Sequence, residues 1–404
     1  MPAGPTGIHK AYAGSHTLAL TRRGSGRTDA VALLRFLTSP EQQLTEARRG
    51  SVPTRPAVLA EVTSVADAAE AERWELLDQV IAAGLLAGNC MLPMKFARRW
   101  PWESVWLVFS IVSLLVLPWT LAFIMIANPF AVYAALPASA FVAPVLFGAG
   151  WGVAQILFGL SIARLGMALG YAIVVGLGAL LGTLIPLLVK HSDIAASGRG
   201  ALIFAGVAVM ILGIVVVAWA GRKREGVHSS GGGVTQSTYA AALALAVLCG
   251  LLAPMLNYAF AFGDSIANEA VRLGNGNEAA GYAVWPVALL GGLVPNVGYA
   301  CFLLWRNQTW KSFHGAWRSD AWCGIAMGAL WMAAFAIYGV SSVYLGALGT
   351  SAGWALFQIF MIMTANCSGL LTAQWKGAPP SARYGMAAGL VLLSTATALI
   401  APRS

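Results

Sequence analysis

Charged residues are scarce in this sequence: Lys, Arg, Asp and Glu together make up 10% of the 404 residues, whereas hydrophobic residues make up 58%. A soluble domain has about 25% charged residues, so the composition excludes an ordinary soluble globular protein. The hydrophobic residues form runs of about 20 residues, which are long enough to cross a bilayer as helices. The composition therefore predicts an all-α polytopic membrane protein.

Catalytic and metal-binding groups are also few. The five histidines lie outside the hydrophobic runs, and the five cysteines show no CxxC spacing. No Ser/His/Asp set and no pair of carboxylates lies within a run, which argues against an intramembrane hydrolase. The formal net charge of +9 comes from short loops rather than from a continuous basic patch, which argues against a nucleic-acid partner. We expect no enzyme activity, no metal and no cofactor.

The first 74 residues differ in composition from the rest of the chain. Nine of the sixteen acidic residues lie between Asp29 and Asp78, and the chain starts without the apolar region of a signal peptide. The stretches Phe36–Gln43 (FLTSPEQQ) and Gly50–Arg55 (GSVPTR) resemble the C-terminal end of sugar-type extracellular solute-binding proteins of ABC importers. We interpret residues 1–74 as a soluble segment that is a fusion remnant or the product of a misplaced start codon, with a genuine accessory segment as the alternative.

Hydropathy predicts ten transmembrane helices in the remaining chain. Residues 75–221 form a first group of five helices, residues 239–404 form a second, and residues 222–238 form a basic, Gly/Ser-rich linker between them. The predicted spans are 76–94, 104–126, 138–162, 165–189, 200–220, 239–261, 281–304, 321–340, 350–374 and 382–402.

Basic residues are distributed unequally among the loops. The loops after the first, third, fifth, seventh and ninth spans hold twelve Lys or Arg residues, whereas the other loops and the C-terminus hold four. The positive-inside rule therefore places the first set of loops in the cytoplasm and both ends of the ten-helix unit outside. The densest basic positions, which we interpret as topology anchors, are Lys95, Arg98, Arg99, Arg222, Lys223 and Arg224.

The sequence contains an internal repeat. The stretch FGAGWGVAQILFGLSIARLGMALG from Phe147 aligns without a gap on MGALWMAAFAIYGVSSVYLGALGT from Met327, with eight identical residues that include Trp151 and Trp331. The alternative is chance similarity between two segments rich in Gly and Ala. Because the match joins the third and fourth spans to the eighth and ninth, it predicts two inverted five-helix repeats. Inverted repeats are typical of alternating-access carriers, which bind their substrate near the middle of the membrane.

The predicted spans contain uncharged polar and aromatic residues in place of charges. Side-chain amides hydrogen-bond hydroxyl groups as donors and as acceptors, so this composition favours a neutral sugar as the substrate. The alternative is that buried amides simply join helices to one another. The predicted substrate-binding residues are Asn89, Gln155, Asn257, Asn296 and Gln358, together with Trp151, Trp331 and Trp354.

Four prolines predict interruptions of the spans, at Pro93, Pro186, Pro254 and Pro295. Backbone groups freed at such depth need protein or a water-lined cavity around them. The clearest predicted break lies beside Asn296, within the stretch GGLVPNVG.

One short motif resembles a known family of carriers. The stretch PMKFARRWPWESVWLVFS resembles the start of the L-rhamnose–proton symporter family, within the drug/metabolite transporter superfamily, and later stretches that begin at Trp151 and Gly291 are similar to further spans of that family. The resemblance covers about residues 80–400. It implies ten helices, sugar uptake and proton coupling. The matching signature residues are Pro93, Lys95, Arg98, Arg99, Trp100, Trp102 and Glu103.

We therefore expect a secondary carrier of the bacterial inner membrane that moves L-rhamnose or a related deoxysugar together with protons, by rocking of its two halves. The proton carrier is not identified by the sequence: Asp78 and Glu103 are the acidic candidates near the first spans, and Glu103 is also expected to pair with Arg98 or Arg99. The alternatives are a drug/metabolite exporter or uncoupled facilitator, and a sugar sensor that keeps a carrier fold without transport.

Overall fold

The computed structural model describes residues 39–40, 68–165, 167–225, 236–314, 317–344, 348–371 and 375–401. Every regular element among these residues is helical. The stretches that resemble solute-binding proteins, and the glycine-rich part of the predicted linker, lie outside the described residues apart from positions 39–40. Their interpretation stays a prediction.

Twelve helices define the architecture. They are α1 Ala68–Asn89, α2 Trp102–Met125, α3 Ser139–Leu165, α4 Met167–Lys190, α5 Gly198–Glu225, α6 Gln236–Leu252, α7 Met255–Ala261, α8 Asp264–Arg272, α9 Val284–Arg306, α10 Trp317–Tyr344, α11 Ala352–Leu371 and α12 Pro380–Ile400. A π-helical turn at Val112–Val116 lies within α2. Three further helices of four to six residues lie in the connections.

Nine helical segments in the described part of the chain are long and apolar enough to cross a membrane. They overlap the second to tenth spans that hydropathy predicts, because those spans are continuous apolar runs. The first predicted span corresponds to α1, whose apolar part, counted with the turn after it, is the shorter segment Gln79–Met94. The chain is a multi-pass α-helical membrane protein.

The predicted break beside Asn296 is wrong. Helix α9 runs without interruption through Pro295, and α4 likewise runs through Pro186. The amide of Asn296 donates a hydrogen bond to the Gly292 carbonyl one turn earlier, at 2.9 Å, and so supports the helix around the proline. Pro254 does interrupt its span, because α6 ends at Leu252 and α7 begins at Met255.

Helices from distant parts of the sequence pack closely. The largest interfaces join α5 to α12, α3 to α9, and α1 to both α10 and α11. Glycine permits the closest approach of α3 to α9: a Cβ atom on Gly148 would lie 1.8 Å from the Ala288 carbonyl oxygen, and one on Gly291 would lie 2.1 Å from the Val145 carbonyl oxygen. Small residues at such contacts are the usual means by which membrane helices associate.

Candidate functional site

A cluster of aromatic rings joins α3, α10 and α11. The rings of Trp151 in α3 and Trp331 in α10 stack with centroids 5.3 Å apart and planes inclined by 29°. Trp331 also contacts Phe335, at 4.4 Å. Phe335 lies 5.3 Å from Phe357, which in turn lies 5.8 Å from Trp354 in α11. The three predicted tryptophans therefore belong to one connected set of rings, and all three are buried.

The amide of Asn257 joins three parts of the bundle. Its Nδ2 atom donates to the Gly182 carbonyl in α4 at 2.9 Å and to the Thr350 carbonyl, just before α11, at 2.7 Å. Its Oδ1 atom accepts a hydrogen bond from the Tyr338 hydroxyl in α10 at 2.7 Å. Trp354 adds a parallel link, because its indole N–H donates to the Gly178 carbonyl in α4 at 3.1 Å. In this arrangement Asn257 links helices.

Asn296 occupies a comparable position between α9, α2 and α3. Its Oδ1 atom accepts from the Trp106 indole N–H at 3.2 Å, and its Nδ2 atom donates to the Gly292 carbonyl. A longer contact of 3.5 Å reaches the Gly152 carbonyl in α3. Asn296 is 1% exposed, so its amide is fully enclosed by protein partners.

Asn89 lies at the C-terminal end of α1 and is half-buried. Its amide donates to the Leu85 carbonyl one turn earlier, at 2.9 Å. Its side-chain carbonyl oxygen accepts no hydrogen bond from the described residues. The side chain of Asp78, in the same helix, lies outside the described part of the structure.

Gln155 and Gln358 differ from the three asparagines, because neither amide has a hydrogen-bond partner within the part of the chain that the structure describes. Gln155 is half-buried and Gln358 is 7% exposed. Each follows a tryptophan of the aromatic cluster by four residues, Trp151 in α3 and Trp354 in α11, which places tryptophan and glutamine on one helix face. The common spacing WxxxQ in both helices is a sequence signal that identifies these two positions together.

Tyr258 presents a further polar atom that sequence reasoning did not select as a site. Its side chain is 6% exposed, and its hydroxyl has no hydrogen-bond partner in the described structure. Its ring packs edge-on against Phe147, at 5.8 Å. A buried hydroxyl without a partner is unfavourable, so this atom can accommodate a bound water or a substrate hydroxyl.

The basic loop between α1 and α2 is held by an acidic residue that sequence reasoning missed. The carboxylate of Asp320 in α10 accepts hydrogen bonds from three consecutive backbone N–H groups, of Arg98, Arg99 and Trp100, at 3.2, 2.7 and 2.8 Å. Asp320 is 1% exposed. The side chains of Arg98 and Arg99 are exposed, as expected of topology anchors, whereas the side chain of Lys95 is outside the described set. Successive N–H groups that converge on one carboxylate form an anion-binding nest.

The expected ion pair of Glu103 with a neighbouring arginine is wrong. The Glu103 carboxylate instead accepts hydrogen bonds from the Asn307 amide at 3.0 Å and from the Thr309 hydroxyl at 2.8 Å. Both donors lie in the connection between α9 and α10, and they satisfy the carboxylate because its helix begins against this connection. Glu103 is 6% exposed. The nearby Arg98 and Arg99 are exposed, and no ion pair joins either of them to Glu103 in the described structure.

The second basic cluster lies at the end of α5. Lys223 places its ammonium 4.8 Å from the ring centre of Trp219, and Arg224 places its guanidinium 4.9 Å from the ring centre of Trp375, which precedes α12. Arg222 is exposed. These cation–π contacts fix two of the three predicted anchors against aromatic side chains at one end of the bundle.

Comparisons with known proteins place this chain in one family. The model of the L-rhamnose-proton symport protein (RhaT) family matches residues 72–401. A curated L-rhamnose-proton symporter of Cronobacter sakazakii is 27% identical over 336 residues, which cover 81% of this chain and 95% of the relative. Symporters of the same name from Mannheimia succiniciproducens and Escherichia coli are 28% and 26% identical over 294 and 336 residues, which cover 70% and 81% of this chain and 84% and 95% of the relatives. These relatives are transport proteins and not enzymes. The chain belongs to the L-rhamnose-proton symport protein family.

Proposed function

We propose that this chain takes up L-rhamnose together with protons across the bacterial inner membrane by alternating access. The observation that carries the proposal is the family match over residues 72–401. The relatives that are named L-rhamnose-proton symporters align over most of their own length. A related deoxysugar is the alternative substrate, because the chemistry described below recognises hydroxyl groups and not one stereoisomer.

The candidate site suits a neutral sugar. We propose that Gln155 and Gln358 bind sugar hydroxyls, since their amides have no partner in the described structure and can both donate and accept. The stacked rings of Trp151 and Trp331 offer apolar faces to the C–H groups of the sugar ring. Asn257, Asn296 and Trp354 then act mainly by positioning helices, and Asn89 contributes through its side-chain carbonyl oxygen.

We propose that ten helices span the membrane as two inverted five-helix repeats, residues 75–221 and 239–404, joined by the linker 222–238. The contacts between helices support this arrangement. If α1 to α5 correspond in order to α6 (with α7), α9, α10, α11 and α12, then the contacts α3–α9, α1–α10, α1–α11 and α4–α5 correspond to the observed contacts α10–α2, α6–α3, α6–α4 and α11–α12. The stacking of Trp151 on Trp331 also fits an axis that passes between the two repeats.

The packing favours moving units that differ from the two sequence halves. Helix α1 packs mainly on α10 and α11, and α6 packs mainly on α3 and α4. We therefore propose that α1, α2, α10 and α11 move against α3, α4, α6, α7 and α9. The hydrogen bonds between Tyr338 and Asn257 and between Trp106 and Asn296 cross the boundary between these groups, and alternating access requires each of them to break in turn.

Of the two proton-coupling candidates, Glu103 and Asp78, the geometry favours Glu103. Its carboxylate receives two hydrogen bonds from the connection after α9, so it links the two proposed moving units. Protonation weakens hydrogen bonds that a carboxylate accepts, and proton binding would release this link. Asp78 stays the second candidate.

Uptake into proteoliposomes tests the proposed function. Purified protein is reconstituted, a pH gradient with the acidic side outside is imposed, and labelled L-rhamnose is followed over time. Accumulation above the equilibrium level that a protonophore abolishes is expected. Equilibration that the protonophore does not affect would identify an uncoupled facilitator, and absence of uptake for L-rhamnose and related deoxysugars would favour an exporter or a sensor.

Two substitutions connect uptake to the site. We expect Gln358→Ala to raise the KM for L-rhamnose at least fivefold, about 1 kcal/mol for one lost hydrogen bond. We expect Glu103→Gln to leave equilibration of the sugar intact while it abolishes accumulation. Loss of both activities in Glu103→Gln would assign the residue to folding or binding instead of coupling.

A further inference from the structure

Two apolar cavities flank α5 on the outer surface of the bundle, away from the aromatic cluster. One has a volume of about 480 Å³ and lies between α4 and α5, where Ile173, Leu180 and Ile214 are among its lining residues. The other has a volume of about 620 Å³ and lies between α5 and α12. Val215 and Trp219 line both cavities. The two cavities are therefore adjacent grooves on either side of one helix.

Both grooves lead to a basic and aromatic rim. Arg222 lines the first groove, is exposed, and has no ion-pair or hydrogen-bond partner among the described residues. Lys223 is exposed, and its ammonium is held over the ring of Trp219, which is 46% exposed between the grooves. Ser381 and Tyr384 supply hydroxyl groups at the rim of the second groove. None of the lining residues that the structure describes is acidic.

This combination matches the chemistry of one class of ligand. Apolar walls that face the membrane suit acyl chains, and a tryptophan beside two cations is typical of the depth of lipid headgroups. Basic pockets between membrane helices recognise anionic headgroups. Two grooves that share one rim suit a molecule with two apolar chains and a single negatively charged head.

We propose that α5 carries a binding site for one anionic phospholipid. Its acyl chains lie in the grooves on either side of α5, and its phosphate contacts Arg222 and Lys223 beside Trp219. Arg224 is not part of the site, because its guanidinium lies against Trp375. Since α5 and α12 form one of the largest interfaces of the bundle, a lipid that bridges their outer surface would stabilise this pair. The proposal does not depend on which sugar the chain transports.

Quenching of tryptophan fluorescence tests the site. The detergent-purified full chain is titrated with brominated dioleoyl phosphatidylglycerol and, separately, with brominated dioleoyl phosphatidylcholine. The quenching due to Trp219 is the difference between wild type and Trp219→Phe. We expect half-maximal Trp219 quenching at a phosphatidylglycerol concentration about tenfold below that of phosphatidylcholine, consistent with the attraction of two cations for an anionic head.

A matched pair of double variants separates this site from general surface charge. The double variant Arg222→Gln with Lys223→Gln removes the two positive charges of the rim. We expect it to raise the phosphatidylglycerol concentration for half-maximal Trp219 quenching about tenfold. Arg306→Gln with Lys311→Gln removes the same number of positive charges beside two other exposed tryptophans, Trp305 and Trp310, which line neither groove. We expect less than a twofold change for this control.

Three results would overturn the proposal. Equal affinity for the two lipids would indicate an ordinary lipid annulus, and equal effects of the two double variants would indicate non-specific attraction to basic loops. An unchanged quenching signal in Trp219→Phe would show that the acyl chains do not enter the grooves. Exposed charges rarely decide folding, and a single symmetric peak in size-exclusion chromatography confirms that each variant is intact.

Discussion

Two buried tyrosines in the described bundle differ in whether their hydroxyl groups form a hydrogen bond. The Tyr338 hydroxyl donates to Asn257 Oδ1 at 2.7 Å, whereas the Tyr258 hydroxyl is buried without a partner. Removal of one partner of a buried hydrogen bond costs about 1–3 kcal/mol, while removal of an unsatisfied group costs little or stabilises. Replacing each tyrosine by phenylalanine therefore distinguishes a hydroxyl that joins two helices from a buried hydroxyl that makes no hydrogen bond.

We expect Tyr338→Phe to lower the free energy of unfolding by about 1–2 kcal/mol, because Asn257 Oδ1 is left unpaired. We expect Tyr258→Phe to leave it unchanged or to raise it by up to about 1 kcal/mol. Thermal unfolding of the detergent-purified variants measures both. If Tyr258→Phe keeps its stability but loses sugar uptake, its hydroxyl binds substrate; equal melting temperatures for the two variants would contradict the assignment.

Asp320 provides a second test at the level of single residues. We expect Asp320→Asn to lower the free energy of unfolding by about 2–3 kcal/mol, because a buried carboxylate with three N–H donors is replaced by a weaker acceptor. Asp264→Asn is the control. Asp264 pairs with Lys190 while its own side chain is 60% exposed, and an exposed pair contributes at most about 1 kcal/mol. A larger loss for Asp264→Asn than for Asp320→Asn would disprove the structural role of the nest.

At the scale of elements, two of the glycines in α3 differ in how closely another helix approaches them. A Cβ atom on Gly148 would lie 1.8 Å from the Ala288 carbonyl oxygen of α9, whereas no described atom lies within 4 Å of a Cβ atom on Gly159. We expect Gly148→Ala to destabilise the protein by at least about 2 kcal/mol, since two backbones must separate. Gly159→Ala should be neutral or stabilise by up to about 1 kcal/mol, as alanine favours a helix over glycine. Thermal unfolding again provides the measurement, and a similar loss in both variants would contradict the close packing of α3 on α9.

The positions of the helices could be predicted from the sequence far better than their contacts could. A continuous apolar run fixes where a helix such as α10 lies, because the bilayer sets its length. Hydropathy does not show that Pro254 ends a helix while Pro295 does not, since that difference depends on which neighbours satisfy the backbone. The Asp320 nest was equally hidden, because its donors are backbone groups more than 200 positions away.

The sequence predicted which residue types form the candidate site, but it did not predict their contacts. Composition identified the amides and tryptophans inside the membrane, but it could not separate Asn257, whose partners lie in other helices, from Gln358, whose amide has none in the described structure. The repeat alignment identifies Trp151 and Trp331 as equivalent positions, but equivalence does not predict contact, and only the structure shows that these rings stack.

At the scale of the whole molecule, the orientation in the membrane can be tested by labelling. Cysteines are introduced singly at Asp193 and Lys311 in a protein whose five native cysteines are replaced by alanine. Both positions are exposed, and they lie in loops that the positive-inside rule assigns to opposite sides. We expect a membrane-impermeant maleimide to label Asp193→Cys in intact cells, and Lys311→Cys only after the cells are permeabilised. The reverse pattern would invert the proposed topology.

Helix α1 is the remaining question at this scale, because its apolar part is shorter than the nine other candidate spans of the described chain. Gln79 of α1 accepts a hydrogen bond from Ser341 near one end of α10, at 3.2 Å, and the loop after α1 contacts Asp320 at the other end. Since α10 is long enough to cross the membrane, α1 and the turn that follows it extend over the same thickness. The polar Gln79 is then satisfied by protein instead of lipid.

We therefore expect α1 to cross the membrane in spite of its composition. In the cysteine-free protein, Glu70→Cys, ahead of its apolar part, should react with the impermeant maleimide in intact cells. Phe96→Cys, beyond the apolar segment and 65% exposed at the start of the basic loop, should react only after permeabilisation. Reaction of both cysteines on the same side would mean that α1 lies along the bundle without crossing. The first proposed repeat would then have four membrane-spanning helices and the second five. Two repeats of unequal size could not be related by the proposed inverted symmetry.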